Sequence, residues 1–395
     1  MLSRTSRRVM AVLAAASMLG ITSCSGSGSG DDAEETAGGP GSLVTERTLT
    51  GTAALPSASR THLITYLSDG ADRRPTLVSG TVAVPEGEAP AGGWPVISWA
   101  HGTTGVGDAC APSADTPGGP AHSYISRTTA MLDRWVADGY AVVQTDYEGL
   151  GTPGGHPYMN GDSAADSVVD IVRAARQLDP AIGTRWIAMG HSQGGHAALY
   201  AAARGTERAP ELELQGAVAF APGSRTSETA EYYATAGPAI GPALGFLPVL
   251  LLGAQAADPS IDADAMLTDA SRPLLDAART GCMDDIREVA STVPVDQVFA
   301  PDADLEPLRE YYAGQEVEPL TLRVPTLVVQ GSDDALVLRP VTDQVTAALC
   351  GNGADLSYRV YDGADHRAVL EESVDDVRAF VDGVRAGEAQ DGTCG

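Results

Sequence analysis

From residue 43 onward the chain changes rhythm from strand-like alternation to short apolar runs spaced by helical stretches. Thr61 to Ser68 and Thr76 to Val84 alternate and are rich in β-branched residues, with Asp69-Gly70-Ala71-Asp72 between them. That pattern predicts a β-hairpin. Pro85 to Gly93 reads as a loop. Trp94 to Ala100 and Tyr140 to Thr145 are apolar runs of buried-strand length, and Trp135 to Asp138 closes a helix between them. Ser163 to Leu178 gathers Val168, Val169, Ile171, Val172 and Ala175 on one helical side. Then come a strand at Trp186 to Met189, an Ala-rich helix from His196 to Arg204 and a strand at Ala217 to Phe220. Strands alternating with helices of this length imply right-handed crossovers, a mostly parallel sheet flanked by helices, and the α/β class.

Between residues 223 and 323 the alternation stops. The stretch includes Pro238 to Gln255, which is strongly apolar but interrupted by three glycines and three prolines, so it is not a spanning helix. It predicts a helical cap over one end of the sheet, whose apolar face reads first as packing against the core, the alternative being that part of it lines a pocket for an acyl chain. Alternation then resumes. A strand at Pro325 to Gln330 leads into Gly331-Ser332-Asp333-Asp334, a helix runs to about Cys350, Leu356 to Tyr361 forms the last strand, and Ala368 to Val384 the closing helix. No internal repeat is visible.

The first residues predict an address. Arg4, Arg7 and Arg8 precede an apolar run, Val9 to Ile21, too short to span a bilayer. It ends in Ile21-Thr22-Ser23-Cys24, which resembles a bacterial lipobox. Residues 1–24 therefore read as a lipoprotein signal peptide, with Cys24 as the lipidated residue. Residues 25–42, rich in Gly, Ser and acid, read as a flexible tether, and residues 43–395 as the folded domain. The expected location is outside the cell, lipid-anchored on the outer face of the membrane or secreted. The formal net charge of −27 argues against nucleic acid and against binding anionic lipid by charge. Setting Cys24 aside leaves Cys110, Cys282, Cys350 and Cys394, an even count that reads as two disulfides in an exported chain. Three pairings are open. Cys350 with Cys394 would pin the tail, and Cys110 with Cys282 would tie a loop to a distant segment. No spacing suggests a metal.

The chemistry centres on Gly190-His191-Ser192-Gln193-Gly194, set between a predicted strand and a predicted helix. In that context G-x-S-x-G is a sharp turn that lifts a serine above a sheet, with small residues allowing strand and helix to approach. A serine hydroxyl needs a base to take its proton, and the base needs a carboxylate to hold its tautomer. Asp333 or Asp334 follows a later strand and His366 follows the last one. Ser, then Asp, then His is the chain order of an α/β-hydrolase. His191 and His196 are too close to Ser192 in sequence to point back at its hydroxyl and read as polar support, while His156 could line a pocket rim or fix a loop. The oxyanion would be held by the backbone N–H of Gln193 and by that of Thr103, in the loop His101-Gly102-Thr103-Thr104-Gly105. His101 would hold that loop in place. A triad alone does not separate ester from amide. A peptidase or amidase, or a surface-tethered binding protein that kept only the fold, are the alternatives.

Three segments together resemble the secretory lipase family of α/β-hydrolases. They are Ser98 to Gly105 with Cys110-Ala111-Pro112-Ser113 after it, Asp146-Tyr147-Glu148-Gly149-Leu150-Gly151, and Gly190 to Gly195. The resemblance implies hydrolysis of carboxylic esters, small-molecule or lipid, with no cofactor and with a cap inserted before the strand that carries the acid. It favours Ser192, Asp334 and His366 as the catalytic residues and the disulfide pairing given above. The G-x-x-D-x-x-V pattern of this fold maps the acid to Asp334 and ends at Val337. The His-Gly-Thr-Thr-Gly loop departs in form from the family's fungal lipases.

Overall fold

A computed structural model describes residues 38–235 and 243–394. The signal segment, Cys24 and residues 25–37 of the tether lie outside the described residues, as do residues 236–242 of the long insertion. Strands β1 (Leu43–Leu49), β2 (Ala58–Asp69) and β3 (Pro75–Pro85) form an antiparallel meander, and β3 pairs antiparallel with β5 (Ala141–Glu148). From there the sheet is parallel, through β4 (Trp94–Ala100), β6 (Ile182–His191), β7 (Glu213–Phe220), β8 (Thr326–Gly331) and β9 (Leu356–Tyr361). Among the described residues the sheet has nine strands in the order β1-β2-β3-β5-β4-β6-β7-β8-β9.

Every residue of β4 and of β8 is buried, as expected of strands covered on both faces. Alternate side chains divide between two apolar layers. Val96, Val143, Trp186 and Ala217 face α2 (Gly161–Leu178) and α3 (Gln193–Arg208). Ile97, Val142, Ile187 and Val218 face α1 (His122–Ala137), α11 (Val369–Glu372) and α12 (Val374–Ala386). Helix α2 starts cleanly because the Asn160 side chain accepts a hydrogen bond from Ser163 N (2.9 Å).

Between β7 and β8 lie α4 (Thr226–Thr235), α5 (Leu247–Ala257), α6 (Ala263–Met266), α7 (Arg272–Thr280), α8 (Met283–Ala290) and α9 (Glu306–Ala313). They surround an apolar cluster of their own that includes Leu247, Leu251, Leu274, Ile286 and Tyr312. The Tyr312 hydroxyl donates to Leu250 O at 2.7 Å, so its buried oxygen is satisfied. Helix α10 (Arg339–Gly351) returns the chain to β9. Among the described residues no helix is long and apolar enough to cross a membrane.

The structure differs from the sequence pattern at the tether and at the closing helix, among other places. The compact unit begins at Gly38, inside the expected tether: Gly41 N donates to Leu67 O (2.7 Å) and Leu67 N donates to Ser42 O (2.9 Å). Composition alone reads these Gly and Ser residues as tether, but the open edge of β2 supplies partners for their backbone. The closing helix is also not continuous. It breaks at buried Ser373, whose hydroxyl bonds back to Val369 O (2.6 Å) between α11 and α12, a back-bond that bends helices.

Candidate functional site

Ser192 occupies the joint between β6 and α3 with φ 59° and ψ −117°, a strained conformation for a residue with a side chain. The surroundings enforce it. A Cβ on Gly194 would lie 1.8 Å from Ala100 O, and one on Gly190 would lie 2.0 Å from Gly194 O. Only glycine allows strand and helix to meet this closely. Ser192 N donates to Phe220 O, and Ser192 O accepts from Gly223 N, both at 2.9 Å, which clamps the turn to the end of β7. Ser192 stands at the N-cap of α3, yet its side chain makes no capping bond, so the hydroxyl is not committed to the helix.

Two loops at the same end of the sheet bring an acid and a base together. His366 follows β9 and is buried, and its Nδ1 donates to Asp334 Oδ2 at 2.7 Å. Asp334 follows β8. Its Oδ1 accepts from Leu336 N (2.8 Å) and Val337 N (2.9 Å), and its Oδ2 also accepts from Gln330 Nε2 (3.1 Å). Asp333 is exposed and takes a bond from Ser332 Oγ instead. Gln330 was not singled out from the sequence. It sits in β8, donates also to Val337 O (2.9 Å), and has its Oε1 held by Thr342 Oγ1 (2.8 Å). The signal for it was present: one amide in an otherwise apolar strand must find partners when buried.

Ser192, Gln193 and His366 line one cavity of about 560 Å³. Its other walls are mixed. Met159, Phe246, Leu250 and Val341 contribute apolar surface, and Ser224, Arg225, Thr226 and Glu228 a polar side. Thr103 reaches the cavity through Tyr158, which lines it: the two hydroxyl oxygens are 2.8 Å apart.

The loop carrying Thr103 is fastened from several sides. His101 is buried, with Nδ1 2.8 Å from Gly102 O, and the Tyr147 hydroxyl donates to His101 O (2.9 Å). Met283 N donates to Thr104 O (2.9 Å), and Cys110 is disulfide-bonded to Cys282 next to it. Cys350 and Cys394 form the second disulfide. Behind the loop, fully buried Asp146 accepts bonds from Ser113 N (2.9 Å) and Ser79 Oγ (2.7 Å), and burial pushes its carboxyl up from the usual range. Among the described residues no group of His, Cys, Asp and Glu is arranged to hold a metal ion.

The other histidines are tied elsewhere. Burial lowers His101 and His196 to about 4 and His156 to about 3. His156 fixes a loop, with Nδ1 donating to Glu148 O and Nε2 accepting from Gln193 Nε2, both at 2.8 Å. His196 Nε2 donates to Gln315 O (2.7 Å). His191 Nε2 donates to the backbone oxygen of His366 (2.7 Å). His62 pairs with Glu46 and His122 with Asp115.

The sequence model of one family, described as secretory lipase, matches residues 122–376. Among curated proteins there is no match. The fold is similar to that of Candida antarctica lipase A, with a TM-score of 0.77 and 17% identity over 90% of this chain and 84% of that one. It is also similar to the rice cell wall degrading esterase LipA from Xanthomonas oryzae, with a TM-score of 0.68 and 20% identity over 88% of this chain and 99% of that one.

Proposed function

This chain belongs to the secretory lipase family, a carboxylic ester hydrolase of the α/β-hydrolase fold, and we propose that it works through a triad of Ser192, His366 and Asp334. What supports this reading above all is the meeting of an uncommitted serine hydroxyl and an Asp-buttressed imidazole in one cavity. Ser192 Oγ attacks the ester carbonyl carbon while His366 Nε2 takes its proton. Asp334 accepts from Nδ1–H, which fixes the tautomer and stabilises the imidazolium. The developing oxyanion is met by the N–H of Gln193, at the start of α3, and by that of Thr103. The tetrahedral intermediate expels the alkoxide, which leaves as an alcohol with the proton from His366. Water, deprotonated by His366, then attacks the acyl-enzyme, and the acid departs as Ser192 recovers its proton. The buried histidines lowered to about 3–4 are neutral at pH 7 and too weakly basic to compete.

The helices between β7 and β8 act as a cap whose apolar wall receives the acyl chain. The protein works outside the cell, secreted or held to the outer face of the membrane through Cys24. The test is hydrolysis of p-nitrophenyl esters from acetate to palmitate by wild type and Ser192→Ala. Turnover that vanishes in the variant, with Tm nearly unchanged, is expected. Equal rates from the two proteins would overturn the triad. Cys24→Ser should move the protein from the membrane fraction to the medium, and unchanged fractionation would remove the anchor.

A further inference from the structure

Three features of the proposed mechanism stand on separate parts of the chain: the Thr103 loop, the Ser192 turn and the His366 loop. A buried chain of hydrogen bonds runs past all three. Gly102 N lies 2.6 Å from Tyr124 Oη, Tyr124 Oη lies 3.1 Å from His191 Nδ1, and His191 Nε2 lies 2.7 Å from His366 O.

Its ends dictate its polarity. A carbonyl oxygen only accepts, so His191 must carry its proton on Nε2, leaving Nδ1 as an acceptor. Tyr124 must then donate its hydroxyl proton to Nδ1. That hydroxyl oxygen is free to accept from Gly102 N–H, which can only donate. Each link is determined by its neighbours, and neither side chain can turn without stranding a buried group. Tyr124 and His191 are 6% and 1% exposed, so water does not substitute for either partner. Their rings stack at 5.7 Å, and the His191 ring lies 4.6 Å from that of His366. Burial lowers His191 well below its ordinary pKa, which keeps it neutral and preserves the polarity.

We propose that Tyr124 and His191 are positioning residues that set the spacing between the general base and the oxyanion donors through this hydrogen-bonded strut. The proposal rests on the triad reading, because it assigns roles to the backbone of His366 and to the residue before Thr103. Small displacements between base and oxyanion site cost rate without weakening ester binding, since the interactions concerned form fully only in the transition state.

The test measures kcat and KM on p-nitrophenyl butyrate for the full chain, each variant normalised to its folded concentration. His191→Phe removes both bonds and is expected to lower kcat by about 10–100-fold with KM within about two-fold. Tyr124→Phe is expected to lower kcat by about 10-fold. The double variant is expected to fall no more than about two-fold below His191→Phe, because the strut is already broken. His191→Gln keeps an N–H for His366 O and is expected to recover most of kcat. Multiplying losses in the double variant, wild-type kcat in Tyr124→Phe, or a rise in KM alone would each overturn the strut. Should His191→Phe not fold, Tyr124→Phe and His191→Gln decide the matter by the same readout. Activity in Ser192→Ala would overturn the triad itself. Failure of the strut with Ser192→Ala inactive would leave the triad standing.

Discussion

On the sheet side of the cavity, Ser192, Asp334 and His366 stand on turns clamped by backbone bonds to neighbouring strand ends. Ser192 N donates to Phe220 O, Ser332 N to Tyr361 O and Asp333 N to Ala364 O, at 2.9, 2.9 and 3.0 Å. On another side, α4 contributes Thr229, α5 Leu250 and its N-cap Phe246, from helices that share an apolar core of their own. The proposed triad must hold its geometry to within a fraction of an ångström, and the sheet supplies that. The wall proposed to receive the acyl chain needs area and shape instead, and packed helices supply those.

The largest effect is expected on the sheet side. Asp334→Asn should lower kcat about 10⁴-fold while leaving the profile of acyl preference unchanged, because it alters the tautomer of His366 and not the cavity. A changed chain-length preference in that variant would mean the two sides are not separable. The Cys110–Cys282 bond ties the Thr103 loop to the start of α8. Replacing both cysteines with serine should cost about 2–5 kcal/mol in denaturant unfolding, given the long loop it closes. It should also lower kcat more than the same change at Cys350 and Cys394, which lie away from the cavity. Equal kinetic effects of the two replacements would deny the tie a role at the site.

On the helical side, Thr229→Trp should fill part of the cavity and lower the decanoate-to-acetate rate ratio about 10-fold, with acetate hydrolysis near wild type. An unchanged ratio would place the acyl chain elsewhere. The smallest effect lies away from both walls, on α2. Asp166 is buried, its Oδ2 has no hydrogen-bond partner, and burial pushes it up to about 6 despite Arg208 at 3.4 Å. The folded protein thus holds this proton more tightly than the unfolded chain. Its contribution is most favourable below about pH 4 and is lost as pH rises through 6. Asp166→Asn should therefore gain about 1–3 kcal/mol at pH 7 relative to its effect at pH 4, with kcat unchanged. A pH-independent difference would show that Asp166 is not the group responsible.

The sheet was readable from two local patterns: Trp94–Ala100 is an apolar run buried throughout, Leu356–Tyr361 alternates apolar with polar residues and is half-buried past its first two, and both have the same bounds in pattern and in structure. Helix α3 begins at Gln193 where periodicity starts it at His196, because the glycines beside Ser192 carry no apolar signal. Asp146, Gln330 and Tyr124 went unassigned for a common reason. Each is a polar residue whose partners, Ser79 and Ser113, Thr342 and Asp334, or Gly102 and His191, lie on other elements.

Local pattern alone determined the α/β alternation, the place of the long insertion and the glycine-flanked turn at Ser192, because periodicity and turn motifs are set by residues near in the chain. How Asp334 is held against His366, how Thr103 is fastened and what lines the cavity were decided only by tertiary structure. Those outcomes depend on which buried donors and acceptors come within 3 Å of one another, and residues 32 to 175 positions apart in the chain make those bonds.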